Sequence, residues 1–558
     1  MASALGSRSL AALLARRAWR QGLGSDARSI HNQARSLSTG GFRPAGTGPQ
    51  TGPGPRGAML ALSAALGLGA GWYALLQPSP SLAKSAEDLP EYSKEEVAEH
   101  RSKDSVWVTY KDGVYDVTKW VDIHPGGASR IMLAAGGAID PFWSMYQQHN
   151  TAQVREILEE YRIGRLQGGA PPPPEDPYAN DPKDRLPVFI VRSEKPMNAE
   201  PPRELLTGSL ITPTELFYIR NHLPVPEIDP KEHVLRVCGE GLKEVGVRLN
   251  LSLEELRRRF KWHTVTATVQ CSGNRRDEFN GVEVVKGLEW GGAAIGTAVW
   301  GGVRLADVLR AAGLRAEDET DGEHVQFVGA DADISGSRYA ASIPLHRALD
   351  PRADVLLALE MNGAPLTRDH GAPLRVVVPG TAGCRSVKWV TDVVVSRDEA
   401  DSLWQRRDYK SFSPSTTWDD VDWESAPAIQ VMPITSLICE PAPGTAVEPG
   451  DAVAVRGYAW SGGGSRIVRV DVSVDGGKSW RVADLNKVPQ QSGRAWAWTL
   501  WELEVEVPAD ARGEFVVVAK ATDENYNTQP ESPASIWNIR GVNCHSWPQL
   551  KLKVERDS

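Results

Sequence analysis

The chain has 558 residues, of which 41% are hydrophobic and 24% charged, an ordinary composition for a globular protein that is long enough for several domains. Residues 1–84 contain nine basic residues and one acidic residue, Asp26, which leaves 53 basic and 70 acidic residues and a formal net charge of −17 after them. Such an acidic chain is excluded as a general nucleic-acid binder, whereas it would attract a basic protein partner.

Five cysteines are scattered along the chain at positions that form no CxxC pair. They are Cys238, Cys271, Cys384, Cys439 and Cys544. Their odd number and wide spacing argue against a disulfide framework and against a tetrahedral zinc site.

The first 84 residues have the composition of a mitochondrial leader. Arginines lie among Ala, Leu and Ser with almost no acid, which is typical of a transit peptide. Residues 58–76 are uncharged and long enough to cross a bilayer. They are either a retained membrane anchor or a stop-transfer signal cleaved near Lys84. We expect cleavage, because Gly and Ala add little hydrophobicity, and so expect no stable membrane anchoring of the mature chain and a location in the intermembrane space.

Residues 85–167 form the first predicted domain. Ser93 followed by Glu95 and Glu96 predicts a helix start, and strands are predicted over 105–110 and 113–118. His124 then opens the motif His-Pro-Gly-Gly, and a second histidine, His149, follows an apolar helical run. Pro-Gly-Gly fixes a tight loop that keeps the backbone clear of a bulky group beside the imidazole.

This domain resembles cytochrome b5 and carries the ligand motif of that family intact. The resemblance implies a small α+β fold that binds haem b, with His124 and His149 as the axial ligands of the iron. Two protein ligands leave no open coordination position, so such a haem carries electrons. The alternative is a relative that has lost its haem.

Residues 168–184 are predicted to be a linker. Two glycines, Gly168 and Gly169, and four consecutive prolines from Pro171 to Pro174 form neither a core nor a helix. We interpret the segment as a semi-rigid tether that lets the haem domain move between an electron donor and an acceptor. A passive spacer is the alternative.

Residues 185–425 mix strand-like runs with helical ones. Strands are predicted over 188–191, 234–237 and 375–379, and Ser252 with Glu255 predicts a capped helix start. Residues 262–268 alternate β-branched polar and apolar residues and predict a strand that ends near Cys271.

Cys271 is followed by Ser-Gly-Asn and then by Arg275 and Arg276. A thiolate is a soft metal ligand, and nearby guanidinium groups favour its ionised form and attract anions. A buried structural cysteine beside two solvated arginines is the alternative interpretation of these residues alone. Further Arg, Lys, His and Tyr residues next to glycines, in a chain that is otherwise acidic, indicate a pocket for an anion or a phosphate-bearing cofactor.

Five motifs in this order resemble animal sulfite oxidases, and the resemblance covers essentially the whole mature chain. The motifs are residues 217–221, 271–276, 287–290, 368–371 and 407–410. The resemblance implies oxidation of sulfite to sulfate at a molybdenum–molybdopterin cofactor, with Cys271 as the single protein ligand to molybdenum. It also implies that electrons pass singly through haem b to cytochrome c.

The same resemblance implies two sets of site residues. The cofactor-binding set is Phe217, Tyr218, Ile219, Arg220, Asn221, Cys271, Asp331, His370, Arg375, Ser386, Val387 and Lys388. The catalytic and substrate-binding set is Arg220, Arg276, Lys286, Trp290, Tyr409 and Arg540. Ser386 departs from the family, which has histidine there, so we expect a backbone contact with the cofactor at this position. We expect Tyr409 to donate a hydrogen bond to substrate; a packed loop aromatic is the alternative.

Residues 426–558 lose the helical pattern. Valines alternate with polar residues over 468–474, a turn follows, and strand-like runs recur over 498–507, 514–521 and 536–539. The pattern predicts an immunoglobulin-like β-sandwich. By the same resemblance this domain forms the homodimer, so the whole chain is expected to be a multidomain α+β protein.

Two other functions compete with this interpretation. A nitrate reductase-type molybdenum enzyme shares the core, although those chains carry the haem domain after it. A haem electron-transfer or binding protein with an inactive molybdenum domain is the other.

Overall fold

The structure is a computed structural model that describes residues 89–124, 127–146, 149–239, 249–314 and 322–555. The described residues form two compact units: those up to Ile139 with Arg155–Pro172, and Asp140–Val154 with those from Pro173 onward. The expected leader and its apolar stretch over 58–76 lie outside the described residues. Among the residues that are described, no helix has the length and apolar character needed to cross a bilayer.

The first unit is built on one small sheet. The strands are β1 (Glu91–Tyr92), β2 (Arg101–Ser102), β3 (Ser105–Tyr110), β4 (Gly113–Asp116), β5 (Gly137–Ala138) and β6 (Arg162–Leu166). Their order is β1-β6-β4-β3-β2, with β5 beside β3. The helices of this unit are α1 (Lys94–Glu99) and α2 (Ala128–Ile131). Helix α3 (Asp140–Met145) belongs to the second unit, and α4 (Ala152–Glu159) begins in the second unit and ends in the first.

Local signals set the ends of these elements. The predicted capping box is confirmed: Glu96 N–H donates to Ser93 Oγ, and Ser93 N–H donates to the Glu96 carboxylate. Strand β4 ends two residues earlier than predicted, because the Asp116 carboxylate accepts hydrogen bonds from both the N–H and the hydroxyl of Thr118. This turns the chain into a 3-10 helix over Thr118–Ile123, which leads to His124.

The second unit contains the longer strands and the remaining helices. The strands before residue 400 are β7 (Ile190–Glu194), β8 (Met197–Glu200), β9 (Ile219–Arg220), β10 (Val234–Gly239), β11 (Leu249–Ser252), β12 (Trp262–Gln270), β13 (Ile295–Arg304), β14 (His324–Ala332), β15 (Arg338–Pro344), β16 (Leu356–Met361), β17 (Ala364–Pro365), β18 (Arg375–Val377) and β19 (Val390–Ser396). The helices are α5 (Leu253–Arg259), α6 (Arg276–Asn280), α7 (Leu305–Ala311) and α8 (Leu345–Leu349).

These strands form three sheets. Their orders are β7-β8-β9, β11-β10-β19-β14-β15 and β12-β13-β16-β17, with β18 beside β16. The β10–β19 pair is parallel and the β12–β13 pair is antiparallel over nine residues. The predicted cap of α5 is confirmed, because Glu255 N–H donates to Ser252 Oγ.

The strand predicted over 188–191 is partly wrong. Strand β7 begins only at Ile190, because residues 186–189 form a turn in which Phe189 N–H donates to Leu186 O. Pro187 occupies the second position of that turn, which its fixed φ favours. The run over 375–379 is likewise shortened to β18.

The C-terminal part is a β-sandwich, as predicted. Its strands are β20 (Thr435–Glu440), β21 (Ala446–Val447), β22 (Ala452–Trp460), β23 (Ile467–Ser473), β24 (Arg481–Val482), β25 (Asp484–Lys487), β26 (Thr499–Glu506), β27 (Gly513–Asp523) and β28 (Gln549–Val554). The two sheets have the orders β20-β22-β26-β25 and β21-β28-β27-β23-β24. Both contribute buried side chains to one core, including Val455, Trp501 and Val517.

Two details of the sandwich differ from the prediction. A bulge between Ile467 and Arg469 breaks the alternation, so Val468 is exposed while Ile467 is buried. The strand predicted over 536–539 is wrong, because this segment follows a 3-10 helix over Pro533–Ile536 that starts at a Ser532 cap with proline in its first turn.

The sandwich is joined to the strand that carries the cysteine. Thr268 of β12 donates its N–H to Trp496 O, and the Trp498 N–H donates to Thr268 Oγ1. The buried Asp354 carboxylate accepts from Arg304, Arg494 and Trp496 Nε1, which fixes the same loop of the sandwich. One carboxylate therefore binds Arg304 of β13 on one side of the junction and residues 494 and 496 of the sandwich on the other.

Replacing Asp354 by asparagine is expected to lower the free energy of unfolding of the second unit by about 2–4 kcal/mol, because two arginines lose a shared buried partner. Urea unfolding followed by tryptophan fluorescence would measure the change. Glu514→Gln is the control, since its ion pair with Lys551 is exposed on both sides and should contribute little. Equal stability of the two variants would contradict the expectation.

Candidate active site

A pocket opens among the ends of several elements of the second unit. Cys271 and Ser272 follow β12, Arg220 ends β9, and Tyr409 follows a π-helical turn over Trp404–Asp408. The pocket contains eleven of the predicted site residues. They are Phe217, Tyr218, Arg220, Cys271, Asp331, His370, Arg375, Ser386, Val387, Lys388 and Tyr409.

Cys271 is held by backbone contacts on both sides. Its N–H donates to Ala294 O over 2.9 Å, and its carbonyl accepts from Asn274 N–H over 3.0 Å. Only 6% of the residue is exposed, and the thiol is not in a disulfide. In the described part of the chain, no group of three or more His, Cys, Asp or Glu residues could hold a metal ion. A metal bound by Cys271 would therefore take its other ligands from a cofactor or solvent.

A tyrosine and a histidine share a hydrogen bond on the wall of the pocket. The Tyr409 hydroxyl lies 2.5 Å from His222 Nε2, and the His222 ring packs 4.6 Å from Tyr339. Burial raises the pKa of Tyr409 and lowers the pKa of His222. The phenol is therefore protonated at neutral pH and can donate, whereas the neutral imidazole accepts.

Cations surround the part of the pocket near His370. Arg375 donates to the carbonyls of His370 and Ser386, and Lys388 donates to Asp369 O and to the Asn221 side chain. Burial lowers the pKa of Arg375 to about 10 and also lowers the pKa of Lys388. An anion bound here would stabilise the charged forms of the Arg375 and Lys388 side chains.

Two buried polar atoms test whether a polar cofactor fits this pocket. Asp331 Oδ1 and His370 Nε2 have no hydrogen-bond partner among the described residues, and both residues line the cavity. Buried polar atoms without partners are unfavourable unless a ligand or water pairs with them. Polar groups of this kind, with Arg375 and Lys388 beside them, suit a hydrogen-bonding ring system that carries a phosphate.

Arg276 occupies a slot made by three glycines from separate segments. A Cβ atom added at Gly273, Gly287 or Gly541 would lie 2.5–2.8 Å from its guanidinium group. Arg276 Nε donates to Gly541 O and a terminal nitrogen donates to Leu288 O. Burial lowers the pKa of Arg276 to about 10. The slot thus fixes a cation that follows Cys271 by five residues in the sequence.

The six other predicted residues, Arg276 among them, lie outside the pocket wall. Ile219, Asn221 and Trp290 are buried behind it. Arg540 donates to the Asp408 carboxylate over 2.7 Å, and Lys286 and Arg540 both approach the ring of Trp418. The Ser386 hydroxyl oxygen accepts from Val378 N–H, so this side chain is engaged with the backbone of Val378.

Both predicted haem ligands have their Nδ1 atoms fixed. His124 Nδ1 lies 3.1 Å from Gly127 O, and His149 Nδ1 lies 3.0 Å from Tyr146 O. A ring nitrogen facing a carbonyl oxygen must carry the proton, which makes Nε2 the basic nitrogen in each ring. This tautomer fits iron ligation through Nε2, as outer-shell hydrogen bonds commonly arrange.

Comparisons with known proteins agree with this architecture. Residues 93–167 match the cytochrome b5-like heme/steroid binding domain, residues 222–404 the oxidoreductase molybdopterin binding domain, and residues 426–555 the Mo-co oxidoreductase dimerisation domain. The chain is 54% identical to sulfite oxidase of Gallus gallus over 83% of its own length and 100% of that protein. It is 52% identical to the mitochondrial sulfite oxidase of Homo sapiens over 83% of its length and 84% of that protein.

The chain belongs to the sulfite oxidase family. A solved structure, the sulfane dehydrogenase SoxCD from Paracoccus pantotrophus, is 26% identical and covers 70% of this chain and 100% of that chain with a TM-score of 0.55. The three domains confirm the predicted multidomain α+β fold, and the domain matches confirm the expected molybdopterin and haem cofactors.

Several pocket residues of this sulfite oxidase family member were missed by the sequence analysis. His222, Tyr339, Cys384 and Trp389 line the pocket but were not predicted as site residues. The alternation of side chains along an extended backbone could have indicated His222. Tyr218, Arg220 and His222 line the pocket, whereas Ile219 and Asn221 do not. Tyr339 and Cys384 carry no such signal, and they meet through a hydrogen bond from the Tyr339 hydroxyl to Cys384 O.

Proposed function

We propose that this chain oxidises sulfite to sulfate at a molybdenum–molybdopterin centre held by Cys271, and passes the electrons one at a time through haem b to cytochrome c. The observation that carries the proposal is a buried thiol in a pocket that also contains Arg220 and Tyr409. When bound, the molybdenum centre supplies the oxygen atom that sulfite gains and accepts the two electrons that it loses.

The chain's own cations prepare the pocket for an anion. Arg220 donates to the Asn198 side chain and to Asn221 O, which holds its guanidinium group at the pocket wall. Arg276 is fixed in its glycine slot by Gly541 O and Leu288 O. Preorganised cations of this kind bind the oxygen atoms of sulfite and stabilise the negative charge of the reacting group.

Tyr409 supplies a neutral hydrogen-bond donor beside these cations. His222 lies within hydrogen-bond distance of its hydroxyl and orients it. The hydroxyl has one proton, so it can donate either to His222 Nε2 or to a sulfite oxygen, and substrate binding would replace the first hydrogen bond by the second.

Electron release follows from the chain's organisation. A haem with two histidine ligands accepts single electrons, so a two-electron oxidation needs two transfer events. Residues 85–166 contain 14 acidic and 9 basic residues, a charge that suits docking to a basic acceptor such as cytochrome c. The proline-rich tether would let the haem domain reach both the candidate active site and the external acceptor.

The relatives' names and the basic leader support a mitochondrial protein, and we place it in the intermembrane space as a homodimer formed through residues 426–555.

Adding sulfite alone to the oxidised, cofactor-loaded protein is expected to reduce the haem, because the pocket and the haem belong to one electron path. The visible spectrum should change to that of a reduced b-type haem, and cytochrome c added afterwards should be reduced. Sulfate is the control anion and should leave the spectrum unchanged. A protein that binds iron but no molybdenum when the pterin is supplied would refute the proposal.

A further inference from the structure

The Trp418 ring contacts two cations from distant parts of the chain. Lys286 Nζ lies 5.5 Å from the ring centre and Arg540 Cζ lies 5.6 Å from it. The face of an indole ring is electron-rich and attracts cations at this range. A single half-buried side chain therefore stabilises two like charges that would otherwise repel each other.

The loop that carries Trp418 is held in place by its own contacts. The N–H and hydroxyl of Thr417 both donate to Asp420 Oδ1, over 2.6 and 2.8 Å. Trp418 packs 6.2 Å from Trp423, which in turn meets Phe412 edge to face at 5.5 Å. The ring thus has a defined position from which it can fix its partners.

Both cations are connected to the candidate active site. Arg540 donates to the carboxylate of Asp408, the residue before Tyr409, and Gly541 O next to it accepts from Arg276. Lys286 precedes Gly287, one of the three glycines around Arg276. Partial burial and the Arg540 guanidinium lower the pKa of Lys286 to about 8. Because the Asp408 carboxylate offsets one of the two charges, Lys286, Arg540 and Asp408 together carry one net positive charge beside Arg276.

We propose that Trp418 is a positioning residue for substrate binding, whose ring holds Lys286 and Arg540 together so that they attract the sulfite anion. The inference rests on the proposed function for the identity of the anion. Trp418 acts through the two cations, so its loss should change anion binding and leave the chemical step nearly unchanged.

Three variants of the complete holoenzyme test this role. Trp418→Leu keeps apolar bulk but removes the ring, and Trp418→Phe keeps a ring. Trp480→Leu is the control, because its ring also faces a cation, Lys520 at 3.8 Å, but does not contact Trp418, Lys286 or Arg540. Molybdenum and haem contents show that each variant is folded. We expect Trp418→Leu to raise KM for sulfite about tenfold with kcat within about twofold, and to weaken the fall of kcat/KM with salt. Trp418→Phe should stay within about threefold of the parent KM, and Trp480→Leu should not change KM.

Equilibrium dialysis with sulfate provides a measurement that needs no turnover. The dissociation constant should rise about tenfold in Trp418→Leu and not in Trp480→Leu. Unchanged sulfate affinity and KM in Trp418→Leu, or an equal loss in Trp480→Leu, would overturn the inference. If the parent protein bound sulfate in a Trp418-dependent manner but was not reduced by sulfite, the proposed function would fail and the positioning role would stand. Should Trp418→Leu not fold, Trp418→Gln takes its place: its sulfate affinity should also fall about tenfold, and an affinity equal to that of the parent would overturn the inference.

Discussion

Cys271→Ser is expected to abolish sulfite oxidation while leaving the haem spectrum unchanged. A serine hydroxyl is a hard, un-ionised group at neutral pH and a poor substitute for a thiolate as a soft metal ligand. The replacement is nearly isosteric at a residue that is only 6% exposed and held through its backbone, so the fold should persist.

The measurements are molybdenum content, turnover and the visible spectrum of the same sample. Cys238→Ser is the control, because that cysteine lies in β10 and not on the pocket wall. It should keep full activity. Normal turnover of Cys271→Ser would show that the metal ligand has been misassigned.

Arg276→Gln is expected to lower kcat/KM for sulfite by about 100-fold, mainly through KM, because a preorganised cation is lost from a water-poor site. Glutamine can keep a hydrogen bond to Gly541 O or Leu288 O, so cofactor contents should be maintained. Steady-state kinetics on samples normalised to molybdenum would measure the effect.

The neighbouring arginine gives a matched comparison. Arg275 pairs with Glu278 and donates to the carbonyls of Ser436 and Ser546, so its contacts are structural. Arg275→Gln should lower the melting temperature and leave KM near that of the parent. The opposite pattern, an unchanged KM in Arg276→Gln with a raised KM in Arg275→Gln, would reverse the two roles.

Local elements of the fold could be predicted where the signal lies within a few residues. The caps at Ser93 and Ser252 depend on contacts three residues apart, and β12 follows from simple alternation. Predictions failed near prolines, at Pro187 and Pro533, because apolar runs there resemble strands while proline favours a turn or a helix start. The bulge in β23 could not be predicted from the sequence either, because it arises from the pairing of β23 with β27.

The site required different information. Motifs recognised by family resemblance supplied residues as far apart as Phe217 and Tyr409, which no local pattern connects. The positions of Tyr339 and Cys384 depend on how β15 packs against a 3-10 turn over Gly383–Arg385, and only the folded chain reveals that contact. The glycine slot around Arg276 is likewise a product of three segments that meet in space.

The hydrogen bonds between Thr268 and residues 496–498 have a consequence for any attempt to divide the protein. A fragment truncated before residue 426 would lose the backbone partners of β12 three residues upstream of Cys271, together with Arg540 and the Gly541 carbonyl. The sandwich therefore stabilises the strand that leads to Cys271, and any shortened protein that is to keep catalytic activity must retain it.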